Sequence, residues 1–211
     1  RKAYELGVSD YINRPFDVKV VYRRVMNTIQ LYAKQRRLLK RVTEQMMEKE
    51  NDSQMMVSIL SQIVEFRNGE SGRHVVMIRK LTGMVLHQLV TKTDRYQLCA
   101  REIKNASALH DIGKIAIDEK ILNKPGRLTP EEFEVMKTHT SVGADMLWSL
   151  KEYRNEPLMK YAWQICRYHH EKYNGKGYPE GLNGEEIPIA AQVVAICDVY
   201  DALVSKRVYK A

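Results

Sequence analysis

The sequence predicts an all-α fold, and three observations carry that expectation. Apolar residues recur at helical rather than strand spacing almost throughout the 211 residues. Turn signals punctuate the apolar segments at Asn68-Gly69, Lys124-Pro125-Gly126, Asn174-Gly175 and Asn183-Gly184. A helix start is spelled out in LTPEEFEVMKTH, with Thr129 placed as N-cap, Pro130 as first helical residue and acids in the first turn. The exception is SDYINRPF, where Tyr11 and Ile12 read as a short strand end stopped by Pro15.

A long helix is expected from Asp17. Val21, Val25, Thr28, Tyr32, Gln35, Leu39, Val42 and Met46 step alternately by four and three, a heptad seam that Thr28 and Gln35 weaken. The seam predicts a homodimer through this helix; the competing picture is a monomer with a long connecting helix. Eight Lys/Arg and no acid lie between Val18 and Thr43. A solvated face on a linking helix explains them better than a nucleic-acid-binding helix, which would need base-reading side chains and a DNA-binding module. From about Met56 onward the helices become shorter and richer in apolar residues.

Composition narrows the function classes. A hydrophobic fraction of 44% supports a real core, and a formal net charge of +8 points to an anionic partner: nucleic acid, an anionic membrane or a phosphorylated small molecule. Cys99, Cys166 and Cys197 are scattered without CxxC spacing, so no disulfide framework is expected and a reducing cytosol is the natural compartment. No window approaches the ~20 apolar residues of a membrane span, and no Rossmann or P-loop glycine pattern occurs. The chain opens on RKAYELGVSDY without an initiator methionine and stops at RVYKA inside a helical pattern, so both ends are expected to be cuts in a longer protein.

The chemistry gathers around histidine. Of six histidines, His87 sits alone in MVLHQLV and reads as structural; His74, His110, His139, His169 and His170 lie beside acids, glycines or each other. In GESGRH, Glu70 and His74 are four apart, one turn of a helix, which suits a bidentate metal clip or merely a surface polar pair. SALHDIGKIAI places His110, Asp111 and Lys114 inside an apolar run, where charge is costly unless paired or metal-bound. As a helix, that run would aim His110 and Asp111 about 100° apart, toward different ions. Lys114 would share their side, free to act as a point charge on a phosphate. A plain Asp111–Lys114 ion pair is the alternative, and it leaves His110 unexplained. THTSVGADML offers His139, and RYHHEKYNGKGYP offers His169 and His170, again adjacent and diverging, before a glycine-rich loop with Lys176, Tyr178 and Pro179. AICDVYDALVSKRVYK sets Asp198 and Asp201 in an apolar helix, one as a ligand and the other orienting or capping. Arg207 and Lys210 follow as phosphate holders. Imidazoles and carboxylates without thiolate favour iron or manganese over structural zinc. Eight candidate ligands exceed what a single ion needs, and two metals suit in-line displacement at phosphorus.

These residues, in this order, resemble the HD-GYP family, a subgroup of the HD metal-dependent phosphohydrolases. His110 and Asp111 match the HD dyad; Gly177, Tyr178 and Pro179 match the GYP signature. HD…GK, then HTxxG, HHExxxGxGYP and a DxxDAL helix together make a specific match from about residue 59 onward. The resemblance implies an all-α HD-domain bundle that hydrolyses cyclic di-GMP with two or three divalent metal ions. Carried over, the ligands are Glu70, His74, His110, Asp111, His139, His169, His170 and Asp198. Lys114 matches the lysine at the scissile phosphate, and Tyr178, Arg207 and Lys210 match substrate-contacting positions. A glutamate at Glu70 resembles the trinuclear-iron type. The family more often has an aspartate where this chain has Asn68, and its domain usually continues past the position of Ala211.

The N-terminal AYELGVSDYINRPFD resembles the tail of a response-regulator receiver domain, with Arg14 where a lysine normally precedes the proline. The expected organisation is a receiver remnant over 1–34, a helical linker over 35–58 and the HD-GYP domain over 59–211. The expected reaction is phosphodiester hydrolysis to linear diguanylate, followed by GMP if a third metal is present. In it, a hydroxide held between two metals attacks phosphorus, Asp111 bridges or orients it, and Lys114 adds positive charge. Three alternatives are another HD-type nucleotide phosphohydrolase, a non-catalytic module that binds signalling domains, and a DNA-binding regulator. The GYP loop argues against the first, the filled ligand positions against the second. Only the basic helix suggests the third. Neither DNA nor membrane is expected as a partner.

Overall fold

Asp17 opens the first helix: its carboxylate accepts the backbone N–H of Lys19 at 2.7 Å, satisfying one of the amide donors that a helix N-terminus leaves bare. The computed structural model describes Pro15 and residues 17–68, 72–92 and 99–205. Helix α1 (Val18–Arg67) runs for 50 residues. The strand end expected at Tyr11 and Ile12 lies outside the described residues. So do Glu70, Arg207 and Lys210, and most of the stretch that resembles a receiver tail.

The chain divides into two units, residues 1–52 and 53–211. In the first, the described residues from Val18 onward are helical, and Val25, Tyr32, Leu39, Val42 and Met46 of the heptad seam are exposed. Thr28 and Thr43 donate back to the carbonyls of Arg24 and Leu39 at 2.9 and 3.0 Å, the usual way a hydroxyl is accommodated within a helix. The basic side chains between Val18 and Thr43 are all exposed.

The second unit holds the core. After the end of α1 come α2 (Arg73–Lys92), α3 (Ala100–Ala106), α4 (Glu119–Leu122), α5 (Pro130–Lys137), α6 (His139–Ser149), α7 (Pro157–Tyr168) and α8 (Ile189–Val204). No strand occurs among the described residues; a single bridge pairs Asn174 with Asn183. Helix α2 packs on α3 and α8, and α7 on α3, α6 and α8. Ile78, Leu86, Ile103, Ile165 and Val194 are fully buried between them, each contributing about 1.5–3 kcal/mol of burial. Arg79 ties three helices, donating to Ser58 Oγ at 2.7 Å and Asn105 Oδ1 at 3.1 Å.

Helix α5 starts as the sequence predicts. Thr129 Oγ1 accepts the N–H of Glu132, whose carboxylate accepts the N–H of Thr129, a reciprocal capping box. The run SALHDIGKIAI differs from expectation. It is not one helix but two 3₁₀ segments, Ser107–Leu109 and Ile112–Ala116, broken at His110 and Asp111. Asp111 sits at φ −102°, ψ 11°, in the sparsely occupied bridge region. A partner remote in sequence supports the second segment: the Arg67 guanidinium donates to the carbonyls of Lys114, Ile115 and Ile117, supplying N–H groups that a continuing α-helix would have provided. Among the described residues, no helix is long and apolar enough to cross a membrane.

Candidate metal centre

The break at His110–Asp111 is what places both side chains at the centre. Gly113 lies against the first turn of α6 so closely that a Cβ there would collide with the carbonyl oxygen of His139, and one on Gly143 would meet Cys166 Sγ at 2.5 Å. Two glycines facing each other let the HD turn and the helix carrying His139 approach.

Four histidines are oriented by their Nδ1 atoms. His74 Nδ1 meets Asp201 Oδ2 at 2.7 Å; His110 Nδ1 meets the Ser107 carbonyl at 2.9 Å. His139 Nδ1 meets the Met136 carbonyl at 2.7 Å, and His169 Nδ1 the Ile165 carbonyl at 3.0 Å. Carbonyls and carboxylates only accept, so each Nδ1 carries the proton and each Nε2 turns a lone pair inward. Asp201 therefore orients His74, while Asp198 Oδ1 stands 3.6 Å from the Nε2 of that ring.

The inward atoms form two groups, each with its ligand atoms within 4.8 Å of one another: Asp111, His139, His169 and His170 in one, and His74, His110 and Asp198 in the other. They adjoin, because His110 Nε2 is 3.1 Å from Asp111 Oδ2. The HD pair thus divides between the groups as expected, by a turn rather than by helical rotation. His169 and His170 do not diverge. Near the C-terminal end of α7 their ring centroids lie 4.0 Å apart and both face the first group; the helix stops at Tyr168, with His169 as its C-cap still at helical φ and ψ.

Two observations test whether cations fit. Asp111 Oδ1, His139 Nε2 and His169 Nε2 are buried without a hydrogen-bond partner, although Asp111 Oδ1 is only 3.3 Å from His139 Nε2. The Nε2 atoms of His74 and His110 also face each other at 3.4 Å, so that without a cation between them a proton must stand there instead. Buried acceptors aimed at one another without a donor are costly; a divalent cation in each group satisfies them. The donor set is nitrogen and oxygen without thiolate, since Cys166 is buried beside Gly143 and burial pushes its thiol up.

Electrostatics agree. Burial alone would pull His110 down, but the charge and hydrogen bond of Asp111, with Asp198 behind, raise it to about 9. Without metal, the carboxylates therefore draw a positive charge to the place between the two groups. Burial lowers His139 and His169 and takes His170 to about 4, keeping these imidazoles neutral. Burial would raise Asp111, yet Lys114 and His110 hold it well below the usual carboxylate range. Lys114 Nζ is 2.7 Å from Asp111 Oδ2, so the ion pair considered as an alternative coexists with the histidine cluster.

The GYP loop covers one side. The Tyr178 ring lies on His170, centroids 4.8 Å apart at 31°, and burial with the charges of Asp111 and Asp198 pushes its hydroxyl up. Its anchor is Glu171, which sequence reasoning passed over. The buried Glu171 carboxylate accepts the backbone N–H groups of Glu180, Gly181 and Leu182 at 2.8, 3.0 and 3.1 Å. Its signal in the sequence was its place in HHExxxGxGYP, directly after the two histidines. His87 is exposed on α2, outside both groups.

Residues 54–211 match the HD domain family. This chain belongs to the HD-domain family. With its GYP signature and its relatives, it falls in the HD-GYP branch of those HD proteins. It is 34% identical to a cyclic di-GMP phosphodiesterase of Thermotoga maritima over 100% of this chain and 59% of that protein. It is 37% identical to the cyclic di-GMP phosphodiesterase response regulator RpfG of Xanthomonas campestris over 99% of this chain and 55% of that protein. A 3'3'-cGAMP-specific phosphodiesterase 2 of Vibrio cholerae is 41% identical over 75% of this chain and 29% of that protein. The chain thus spans 59% and 55% of the length of the first two relatives. HD domains bind divalent metals, and the two clusters of this HD domain are groups that could hold them.

Proposed function

We propose that this chain is a metal-dependent phosphodiesterase that hydrolyses cyclic di-GMP to linear pGpG and onward to GMP, as the output part of a two-component response regulator. The observation that carries the reading is the convergence of four Nδ1-anchored imidazoles on Asp111 and Asp198. Relatives named as cyclic di-GMP phosphodiesterases support the substrate.

His139, His169, His170 and Asp111 would hold one metal, and His74, His110 and Asp198 another. Glu70, outside the described residues, is the proposed ligand for a third. Iron or manganese suits this nitrogen and oxygen set. When bound, the metals supply Lewis acidity toward the phosphodiester and lower the pKa of water. Lys114 meets a non-bridging phosphoryl oxygen as a fixed positive charge. Asp111, held ionised by Lys114, orients the attacking water in line with the leaving oxygen. The water oxygen bonds to phosphorus, the bond from phosphorus to the 3′ oxygen breaks, and a proton goes to that oxygen. Tyr178 borders the substrate, and Arg207 and Lys210 hold its phosphates.

The exposed seam residues Leu39, Val42 and Met46 support a homodimer through the linker helix over 35–58, downstream of a receiver remnant over 1–34. Signalling domains are further candidate partners. The scattered cysteines, none of them in a disulfide, suit the cytoplasm.

The test is metal content with turnover. The protein is purified anaerobically, its iron, manganese and zinc are quantified per protomer, and the same sample is assayed with cyclic di-GMP and 3'3'-cGAMP. Two or three metals with hydrolysis of cyclic di-GMP are expected. Faster hydrolysis of 3'3'-cGAMP would move the substrate to the class named for the Vibrio cholerae relative. Metal without hydrolysis of either would exclude both substrates, and no metal at all would leave a binding module.

A further inference from the structure

Helix α5 carries two side chains that the reading above does not use. Phe133 is 45% exposed although it lies beside the centre. Its ring stands edge-on to Tyr178, centroids 6.2 Å apart at 83°, and Tyr178 in turn lies on His170. One helical turn on, Lys137 Nζ hangs 5.4 Å from the Phe133 ring and 5.7 Å from the Tyr178 ring. The helix is fixed at its start by the Thr129–Glu132 capping box and by Lys124, whose ammonium holds Glu132 at 2.6 Å. A phenylalanine needed only for the core would be turned inward; this one is held open on a short, well-capped helix.

We propose that Phe133 and Tyr178 form an aromatic corner that takes a purine base of the substrate, with Lys137 beside it. This rests on the cyclic-dinucleotide reading and names the specificity element of that same site. Bases stack on aromatic faces with little geometric demand. Guanine offers its O6 and N7 acceptors to a nearby cation; Lys137, whose ammonium also pairs with the exposed Glu134 carboxylate at 2.6 Å, stands beside the corner with further N–H donors. The corner adjoins His170, so a base seated there leaves its phosphate within the reach of a nucleotide from the metal groups.

The test is steady-state kinetics of metal-loaded Phe133→Ala, Phe133→Leu and Phe133→Tyr with cyclic di-GMP and with bis(p-nitrophenyl) phosphate, a diester without a purine. Loss of one stacked base raises KM for cyclic di-GMP by about 5- to 150-fold in Phe133→Ala. Phe133→Leu keeps the volume beside Tyr178 but not the flat ring and shows most of that rise; Phe133→Tyr restores the wild-type KM. With the purine-free diester, kcat/KM of all three stays within about threefold of wild type, well short of the loss of a stacked base. An unchanged KM in Phe133→Ala, full recovery in Phe133→Leu, or equal losses on both diesters overturns the corner while the phosphodiesterase reading stands. Absence of cyclic-dinucleotide turnover by the unaltered, metal-loaded protein overturns that reading, and the corner with it.

Discussion

The Asp111 carboxylate reaches the Lys114 ammonium at 2.7 Å while its other oxygen points at the Nε2 of His139, 3.3 Å away. The pair spans the boundary between candidate metal ligands and the substrate side. If Lys114 serves the phosphate rather than the fold, Lys114→Met should keep its metals and its melting temperature. It should lose about 10²- to 10³-fold in kcat, the usual effect of removing one preorganised charge partner. Metal analysis beside turnover decides; kcat within threefold of wild type would remove Lys114 from the mechanism.

His110 joins the two groups, touching His74 on one side and Asp111 on the other. His110→Ala should abolish turnover and lower bound metal, while far-UV circular dichroism keeps the helical signal, because the ring sits beside the apolar core rather than within it. Full activity in this variant would sink the site assignment.

Local signals in the sequence were readable because they act locally. The capping box at Thr129 and Glu132 needs only residues three apart, and it forms as spelled. The grouping of the histidines was readable in outline, since only metal or substrate explains so many polar groups in apolar runs. What was not readable depends on distant partners. Ser107–Ala116 carries a helical pattern, yet it breaks at His110 and Asp111, and Arg67, more than forty residues earlier, takes the carbonyls of Lys114 and Ile115. His169 and His170 share one group where α7 ends after Tyr168, a matter of tertiary stop rather than spacing. Glu171 shows its role only when the chain returns nine to eleven residues later to present three amides.

That role gives a prediction. In Glu171→Gln, one carboxylate oxygen becomes an NH₂ that faces a backbone N–H, donor against donor. The buried amides then lose part of their partner, at a cost of about 1–3 kcal/mol. The GYP loop should become more susceptible to limited proteolysis near Gly181, and Tyr178 should leave His170, so that kcat/KM falls with metal content retained. A loop as protected as in the wild type would show that the three hydrogen bonds are dispensable.

Gly113 tests the close approach behind the centre. A methyl group there collides with the His139 carbonyl and crowds the Gly143 amide, and both obstacles are backbone. Overpacking of this kind costs about 1–3 kcal/mol or more. For a chain of this length that lowers Tm by about 2–12 °C. Because the displaced residue is His139, metal affinity should fall in the same variant, and a metal titration beside the thermal melt checks both. A Tm loss with wild-type metal affinity would mean that the helix gives way without moving its imidazole.

The metal-free protein should be most stable near pH 6.5, and the sign follows from four imidazoles. His139, His169 and His170 have folded pKa values below the free value of 6.5, with His170 at about 4. Unfolding lets them bind protons, so their contribution is present above pH 6.5 and is lost as pH falls toward 4. His110 is displaced the other way, to about 9. Its contribution is complete below pH 6.5 and drains away as pH rises through 9. Thermal melts of chelator-treated protein at pH 5, 6.5 and 8.5 should therefore give a maximum at the middle value, falling more steeply on the acid side, where three groups act together. With metal bound the alkaline fall should vanish, because a cation then replaces the proton on His110. The acid fall should steepen, because ligands must be deprotonated to bind. A metal-free Tm that stays flat from pH 5 to 6.5 would mean that these rings are not held neutral in the folded protein.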